Sequence, residues 1–180
     1  MEKAEIEYGR GGSLTLPQSN GTEYFESGEM MDLPKRKSPR IAEYDYSSPN
    51  YYFITICTDH KDCIFGMPGR LNSNGIIAEN CLLKIQKLNP AVTIDKYVIM
   101  PNHVHVILAV NEKSPSITTV IGQYKSAVTK RIREFYPRKN VWQRSFHDHV
   151  IRDQRGYERI WMYIEDNPRK WEEDCFYCAE

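Results

Sequence analysis

Apolar and polar positions follow two different periods along the chain, and these periods predict its strands and helices. Short runs rich in aromatic and β-branched residues are typical of strands. Four such runs predict strands at residues 51–58, 92–100, 103–110 and 142–151. The third run follows Pro101 and is expected to form a hairpin with the second.

Apolar residues at helical intervals predict three helices, at residues 77–88, 117–135 and 155–167. The last helix is expected to end before Pro168, because proline lacks a backbone donor and clashes with the preceding turn. Residues 59–74 contain three glycine or proline residues and are predicted to form a loop.

The order of the elements predicts the fold class. It is strand, helix, strand, strand, helix, strand, helix. This order is typical of an α+β fold in which helices flank an antiparallel sheet, the split βαβ arrangement of ferredoxin-like and RRM-like domains. One domain of residues 41–171 is expected, between a flexible arm of residues 1–40 that is rich in glycine and serine and an acidic tail of residues 172–180.

Charge is unevenly distributed, although the formal net charge is zero. Residues 1–34 contain seven acidic and two basic residues, and residues 165–180 contain six acidic and two basic residues. Residues 35–164 therefore carry 20 basic against 11 acidic residues, a net charge of +9. A basic body favours a polyanion such as nucleic acid as partner, although some basic surfaces serve only solubility. The acidity of the arm has no explanation in the sequence.

The five cysteines are an odd number, and the chain shows no secretory signal at its start. We therefore expect no disulfide framework and a reducing, cytoplasmic location. Cys175 and Cys178 have the spacing of a zinc knuckle, but no second ligand pair has matching spacing, so a zinc site is not favoured. No apolar run approaches the ~20 residues of a membrane span.

His103 and His105 are two residues apart in a predicted strand, so their side chains project from the same face. Val104 points the other way, into apolar packing. Two neutral imidazoles this close can chelate a divalent cation. Two partly exposed histidines without a ligand are the alternative, and His147 with His149 competes on spacing alone.

Tyr163 and Asn167 are four residues apart in the last predicted helix and share one flank of it. Such a tyrosine can attack phosphorus from the edge of a cleft, while the amide holds a metal. A boundary tyrosine and a helix-terminal asparagine without chemistry are the alternative from this helix alone. The residues at i, i+3, i+4 and i+7 form its apolar stripe and are expected to pack in the core: Tyr157, Ile160, Trp161 and Ile164.

Taken together, these patterns resemble the HUH single-tyrosine transposases, and most closely their REP-associated branch, which is linked to repetitive extragenic palindromes. The likeness runs from about Pro39 to about Lys170 and includes the approach Tyr44–Ser47. Four motifs carry it in order: YVIMPNHVHVIL at residues 97–108, WQRSF at 142–146, DHVIR at 148–152 and YIEDNP at 163–168.

The resemblance implies the roles of the site residues. His103 and His105 match the metal-binding pair of the family, which decides between the two histidine pairs. Tyr163 matches the nucleophile, and Asn167 matches the third protein ligand, one helical turn later. The resemblance also implies the antiparallel fold with its flanking helices. Mg²⁺ or Mn²⁺ suits such a site, because water and phosphate oxygens complete the coordination of these ions.

The resemblance further implies cleavage and rejoining of single-stranded or hairpin DNA through a 5′-phosphotyrosine, a transposition-type activity. Arg144, His149 and Arg152 fall in a motif strand of the branch and are candidate DNA-binding residues. Further basic residues are expected to contact phosphates, so that affinity falls with salt. They are Lys125, Lys130 and Arg131 on the long helix, and Lys35, Arg36, Lys37 and Arg40 in the basic cluster of the arm, residues 35–40.

Two other functions stay open at this stage. One is a domesticated hairpin-binding protein that has lost catalysis, and the other is a metal-dependent phosphodiesterase that uses water in place of tyrosine. The four intact site residues argue against the first. The REP-associated branch favours a monomer, whereas the dimeric insertion-sequence relatives make a homodimer an alternative.

Overall fold

A computed structural model of the protein describes residues 44–177. The predicted arm, its basic cluster, the first residues of the predicted domain and Cys178 lie outside this range. Within it, none of the helices combines the length and the apolar character that a membrane span requires.

The centre of the fold is a four-stranded antiparallel sheet. Its strands are β1 (Asn50–Cys57), β4 (Val92–Ile99), β5 (His103–Val110) and β6 (His147–Ile151). Their order across the sheet is β4-β5-β1-β6. The predicted hairpin of the second and third strands is confirmed as β4 and β5. In the described part of the chain, two further strands, β2 (Gly66–Met67) and β3 (Arg70–Leu71), pair with each other and not with this sheet.

Within residues 44–177, four α-helices accompany the sheet: α1 (Ser73–Leu82), α2 (Ile85–Leu88), α3 (Ile117–Arg133) and α4 (Gln154–Asp166). The same range contains two 3-10 turns, at Asp59–Lys61 and Trp171–Glu173. The predicted fold class, an antiparallel sheet flanked by helices, is confirmed.

Local boundaries differ from prediction where side chains cap or interrupt an element. The predicted helix 77–88 is two helices, and the first begins at Ser73 because the side chain of Asn72 accepts a hydrogen bond from Gly75 N at 3.0 Å. The predicted loop 59–74 contains the β2–β3 hairpin. The predicted strand 142–151 narrows to β6, since Trp142 forms only an isolated bridge with Thr58.

The two faces of the sheet are covered differently. One face packs against α1 and α3 in the larger apolar core, where Ile54 and Val106 are fully buried. The other face packs against α4 in a small cluster centred on Ile107, Ile151 and Ile164. The predicted stripe of α4 is confirmed, because its members belong to this second cluster. Because the apolar cluster under α4 is small, this face of the sheet can also hold polar side chains.

No disulfide framework is expected from the sequence, and the structure differs at one position. Among the described cysteines, Cys63 is disulfide-bonded, whereas Cys57, Cys81 and Cys175 are free thiols. Tertiary folding decides which sulfur atoms meet, and spacing in the sequence does not reveal it.

Candidate active site and metal centre

The histidine pair lies at the start of β5, a central strand, on the sheet face that α4 covers. His103 and His105 are 0% and 1% exposed, and their ring centroids are 4.5 Å apart. The alternation of a strand places both rings on this face, while Val104 enters the larger core on the other. The predicted side-by-side arrangement is present, and both rings are buried.

Hydrogen bonds at Nδ1 fix the orientation of both imidazoles. The amide nitrogen of Asn102 donates to two backbone carbonyls, so its Oδ1 is the acceptor that faces His103 Nδ1 at 2.8 Å. His103 therefore carries its proton on Nδ1 and presents a lone pair on Nε2. His105 Nδ1 lies 2.8 Å from Thr55 Oγ1, and the same tautomer there presents Nε2 to the site.

Burial keeps both imidazoles neutral. Desolvation lowers the pKa of His103 to about 4. It also lowers the pKa of His105 well below its ordinary value, and the neighbouring His103 adds to that effect. A neutral imidazole is the form that binds a metal, so both residues are in the binding form at neutral pH.

Tyr163 extends from α4 towards the pair. Its hydroxyl is 3.2 Å from His105 Nε2, and its ring meets Phe53 edge-on with centroids 6.1 Å apart. Burial, followed by the negative charge of Asp174, raises the pKa of Tyr163 to about 12. The side chain is nevertheless 42% exposed and lines an open cleft of about 350 Å³. A substrate can therefore reach the phenol from solvent.

Asn167 lies one turn after Tyr163, as predicted, and is 3% exposed. Its Nδ2 donates to Asp174 Oδ2 at 2.9 Å. Its Oδ1 is buried and has no hydrogen-bond partner among residues 44–177, and the same is true of His103 Nε2. An unpaired buried acceptor is costly, so two of them at one site fit a group that accepts both lone pairs, such as a cation.

Asp174 is an addition that sequence reasoning did not make. One ligand atom from each of His103, His105 and Asp174 fits within a mutual distance of 4.8 Å. Two imidazoles, an amide oxygen and a carboxylate form a donor set that fits Mg²⁺ or Mn²⁺. Asp174 carries no spacing signal in the sequence, because it belongs to a segment with no periodic pattern.

The segment that contains Asp174 also covers the histidines. The ring centroid of Phe176 is 4.7 Å from that of His103, and Phe176 O accepts a hydrogen bond from Asn102 Nδ2 at 2.7 Å. Lys61 Nζ lies 4.7 Å from the same phenyl centroid. Lys61 is thus a cation beside the site that the sequence pattern did not identify.

The predicted DNA-binding residues are distributed over both faces of the sheet. Lys125 Nζ donates to the backbone carbonyls of residues 143–145, and Arg131 contacts Cys81 Sγ at 2.8 Å. Both belong to α3, on the face opposite the histidine pair, as does the exposed Lys130.

Other members of the predicted set lie near β6. Arg144 is exposed just before this strand. His149 and Arg152 are also exposed, and both line a second cleft with Arg159 at the start of α4. The residues predicted in the arm, Lys35, Arg36, Lys37 and Arg40, lie outside the described range.

A comparison with known families shows which proteins share these features. The model of the family described as IS200-like transposase matches residues 47–167. This range contains both histidines, Tyr163 and Asn167, and it ends before Asp174.

Individual relatives agree with the family match. An uncharacterized protein of Haemophilus influenzae is 35% identical over 167 residues, which cover 79% of this chain and 93% of the relative. A second protein of that organism, provisionally named a REP-associated tyrosine transposase, is 28% identical over 82 residues, or 40% of this chain and 47% of that protein.

A solved structure shares the fold. It is described as a REP-associated tyrosine transposase bound to a REP hairpin, and it aligns with a TM-score of 0.57 at 22% identity. The alignment covers 72% of this chain and 74% of the other.

Proposed function

This chain belongs to the IS200-like transposase family, and from that membership we propose that it cuts and rejoins DNA strands with Tyr163 as the nucleophile. The observation that carries the proposal is the 3.2 Å approach of the Tyr163 hydroxyl to His105 Nε2. It joins a potential nucleophile on α4 to a potential metal ligand on β5. Reacting groups must be held in such proximity before attack.

In the proposed reaction the phenol oxygen of Tyr163 bonds to the phosphorus of a DNA phosphodiester. The bond from phosphorus to the 3′ oxygen breaks, and the phenolic proton ends on that oxygen as a free 3′-hydroxyl. The product is a 5′-phosphotyrosine. Because one phosphodiester replaces another, the 3′-hydroxyl can attack the linkage in return and rejoin the strand.

Five side chains prepare this step. Asn102 and Thr55 fix the two rings from their Nδ1 sides, so that His103 and His105 present Nε2 to the site. Asn167 is positioned to add its buried Oδ1. When bound by His103, His105 and Asn167, Mg²⁺ or Mn²⁺ would supply Lewis-acid polarisation of a phosphate oxygen.

A neutral phenol with a pKa of about 12 is a poor nucleophile by itself. The exposed side of Tyr163 opens on the cleft, from which a phosphodiester can approach, and its hydroxyl lies 3.2 Å from His105 Nε2. Attack by Tyr163 is therefore expected only when a metal ion is bound and a phosphate is present.

The proposed substrate is a DNA hairpin with an adjacent single strand. Exposed Arg144, His149 and Arg152 would contact phosphates near β6, and Lys130 would do so on α3. The contacts of Lys125 and Arg131, those of the basic cluster in the arm, the monomeric state and the cytoplasmic location stay predictions.

The test is incubation with single-stranded hairpin oligonucleotides and Mn²⁺, followed by a denaturing gel. Wild type is expected to form a covalent protein–DNA band and Tyr163→Phe to form none. Tyr157→Phe is the matched control, because Tyr157 is on the same helix but packs on Tyr51 and donates to Asp95. Cleavage without a covalent band would indicate a water-dependent phosphodiesterase, and binding without cleavage a hairpin-binding protein.

A further inference from the structure

The last described segment, residues 171–177, folds back over the histidine pair. Trp171 is 7% exposed, with its ring centroid 6.1 Å from that of His103. Phe176 packs on the same imidazole, with ring centroids 4.7 Å apart and ring planes tilted by 45°. The segment thus encloses the site on the side that faces away from the sheet.

Asp174 lies inside this enclosure with both carboxylate oxygens oriented. Oδ1 accepts from the backbone nitrogen of Phe176 at 2.7 Å, and Oδ2 accepts from Asn167 Nδ2 at 2.9 Å. The second bond turns Asn167 so that its Oδ1 is left buried and without a partner among residues 44–177. Asp174 therefore determines which atom Asn167 offers to the site.

We propose that Asp174 is itself a ligand of the divalent cation, alongside His103, His105 and Asn167. This inference rests on the proposed function, since it concerns the same site. A ligand atom of Asp174 lies within 4.8 Å of one from each histidine, a spacing that one cation can bridge. The segment holds the carboxylate there through backbone and ring contacts that need no metal.

The position of Asp174 sets it apart from the other ligands. The family match ends at residue 167, so this carboxylate comes from a part of the chain outside that match. It adds a negative charge to a set of neutral donors, and oxygen donors of this charge favour hard cations such as Mg²⁺ and Mn²⁺. Because these ions take about six ligands, four from the protein would leave positions for phosphate or water oxygens.

The test is a direct measurement of Mn²⁺ affinity by calorimetric titration, without DNA. Asp174→Asn is expected to weaken Mn²⁺ binding by about tenfold or more, the size typical of altered metal sites. Asp174→Glu keeps a carboxylate and is expected to retain part of the affinity. Asp166→Asn is the matched control, because Asp166 lines the same cleft but pairs with Arg169 and Lys170, and about wild-type affinity is expected.

The assignment would be overturned if Asp174→Asn kept the wild-type affinity for Mn²⁺, with circular dichroism confirming that the variant is folded. It would also be overturned if Asp174→Asn and Asp166→Asn lost affinity equally, because a general charge effect would then explain the loss. The electron paramagnetic resonance spectrum of bound Mn²⁺ gives a second readout, and it should change only when Asp174 is altered.

The covalent-adduct assay separates this inference from the proposed function. An adduct in wild type, combined with unchanged Mn²⁺ affinity in Asp174→Asn, would refute the ligand and leave Tyr163 chemistry standing. Absence of an adduct, combined with a specific affinity loss in Asp174→Asn, would refute the chemistry and retain the ligand. Wild type that binds no Mn²⁺ would overturn the ligand assignment and the metal dependence of the proposed function together.

Discussion

Two histidine pairs with the same spacing lie on the same face of the sheet, and their surroundings differ. His105 on β5 and His147 on β6 are both paired with Thr55 of β1, so the three residues form one row across the sheet. His103 and His105 lie under α4 and the C-terminal segment and are buried, whereas His147 and His149 occupy an edge strand and are exposed.

The surroundings of a histidine pair, as much as its spacing, therefore distinguish a candidate chelating pair from an exposed one. The buried rings are neutral, oriented by Asn102 and Thr55, and close to a tyrosine, an amide and a carboxylate. An exposed pair on an edge strand must compete with water for every ligand and has more rotational freedom to lose. If burial and not spacing distinguishes the two pairs, substitutions of His103 or His105 should have larger effects than the same substitutions of His147.

The largest expected difference is in DNA cleavage. His105→Ala should reduce covalent-adduct formation by about 100-fold or more, because Lewis-acid stabilisation of the phosphate contributes several kcal/mol. His147→Ala, in the same row of the sheet, should change the rate only a few-fold. Quenched-flow sampling on denaturing gels measures both rates, and comparable losses in the two variants would contradict the distinction between the pairs.

A smaller difference is expected in stabilisation by metal. Mn²⁺ at about 100 times its dissociation constant should stabilise wild type by roughly 2.7 kcal/mol, because it binds only the folded state. His103→Gln should lose most of this gain, and His147→Gln should keep it. Differential scanning fluorimetry with and without Mn²⁺ measures the shifts. A full shift in His103→Gln would show that the cation binds elsewhere.

The pH dependence of stability should also separate the pairs in metal-free protein. The unfolded chain protonates His103 near its ordinary pKa of about 6.5, whereas the folded chain resists protonation until about pH 4. Between these values the unfolded state binds more protons, so stability is lost as pH falls. At pH 5 the loss relative to pH 7 from this residue is about 2 kcal/mol.

Melting temperatures at pH 7 and pH 5 in the presence of chelator check this effect. Between pH 7 and pH 5, the melting temperature of the wild type should fall, and His103 should account for roughly 4–8 °C of this decrease. This part should be absent in His103→Gln and unchanged in His147→Gln. An identical acid profile in all three proteins would mean that His103 is not held neutral by burial.

The smallest expected effect comes from removing the Thr55 hydroxyl that contacts the His105 ring. Thr55→Val removes the hydroxyl that contacts His105 Nδ1 and should weaken Mn²⁺ affinity by about tenfold. Thr55→Ser restores a hydroxyl at this position and should recover most of the affinity. Calorimetric titration measures both variants. Equal affinities in Val and Ser variants would show that the ring is oriented by packing alone.

Local periodicity explains how much of the site could be predicted. The i, i+2 relation put His103 and His105 on one face, and the i, i+4 relation put Tyr163 and Asn167 on one flank. Both arrangements are present in the structure. The resemblance to a family, and not periodicity, then favoured His103 and His105 as the candidate metal-binding pair, since the two pairs are equivalent in spacing.

Sequence reasoning was weaker wherever long-range packing decides the outcome. Lys125 and Arg131 appear as free cations of an amphipathic helix, yet Lys125 caps backbone carbonyls and Arg131 contacts a cysteine. Lys61 and Asp174 follow no periodic pattern, yet both lie close to the site.

By itself the sequence determined the order of strands and helices, the side on which each candidate residue projects and, through its motifs, the family. Backbone geometry repeats over a few residues, so these properties are local. Only the tertiary structure decided which pair is buried, how far Tyr163 lies from His105 and that Asp174 joins them. Those properties depend on packing between segments distant in the chain, which no local period encodes.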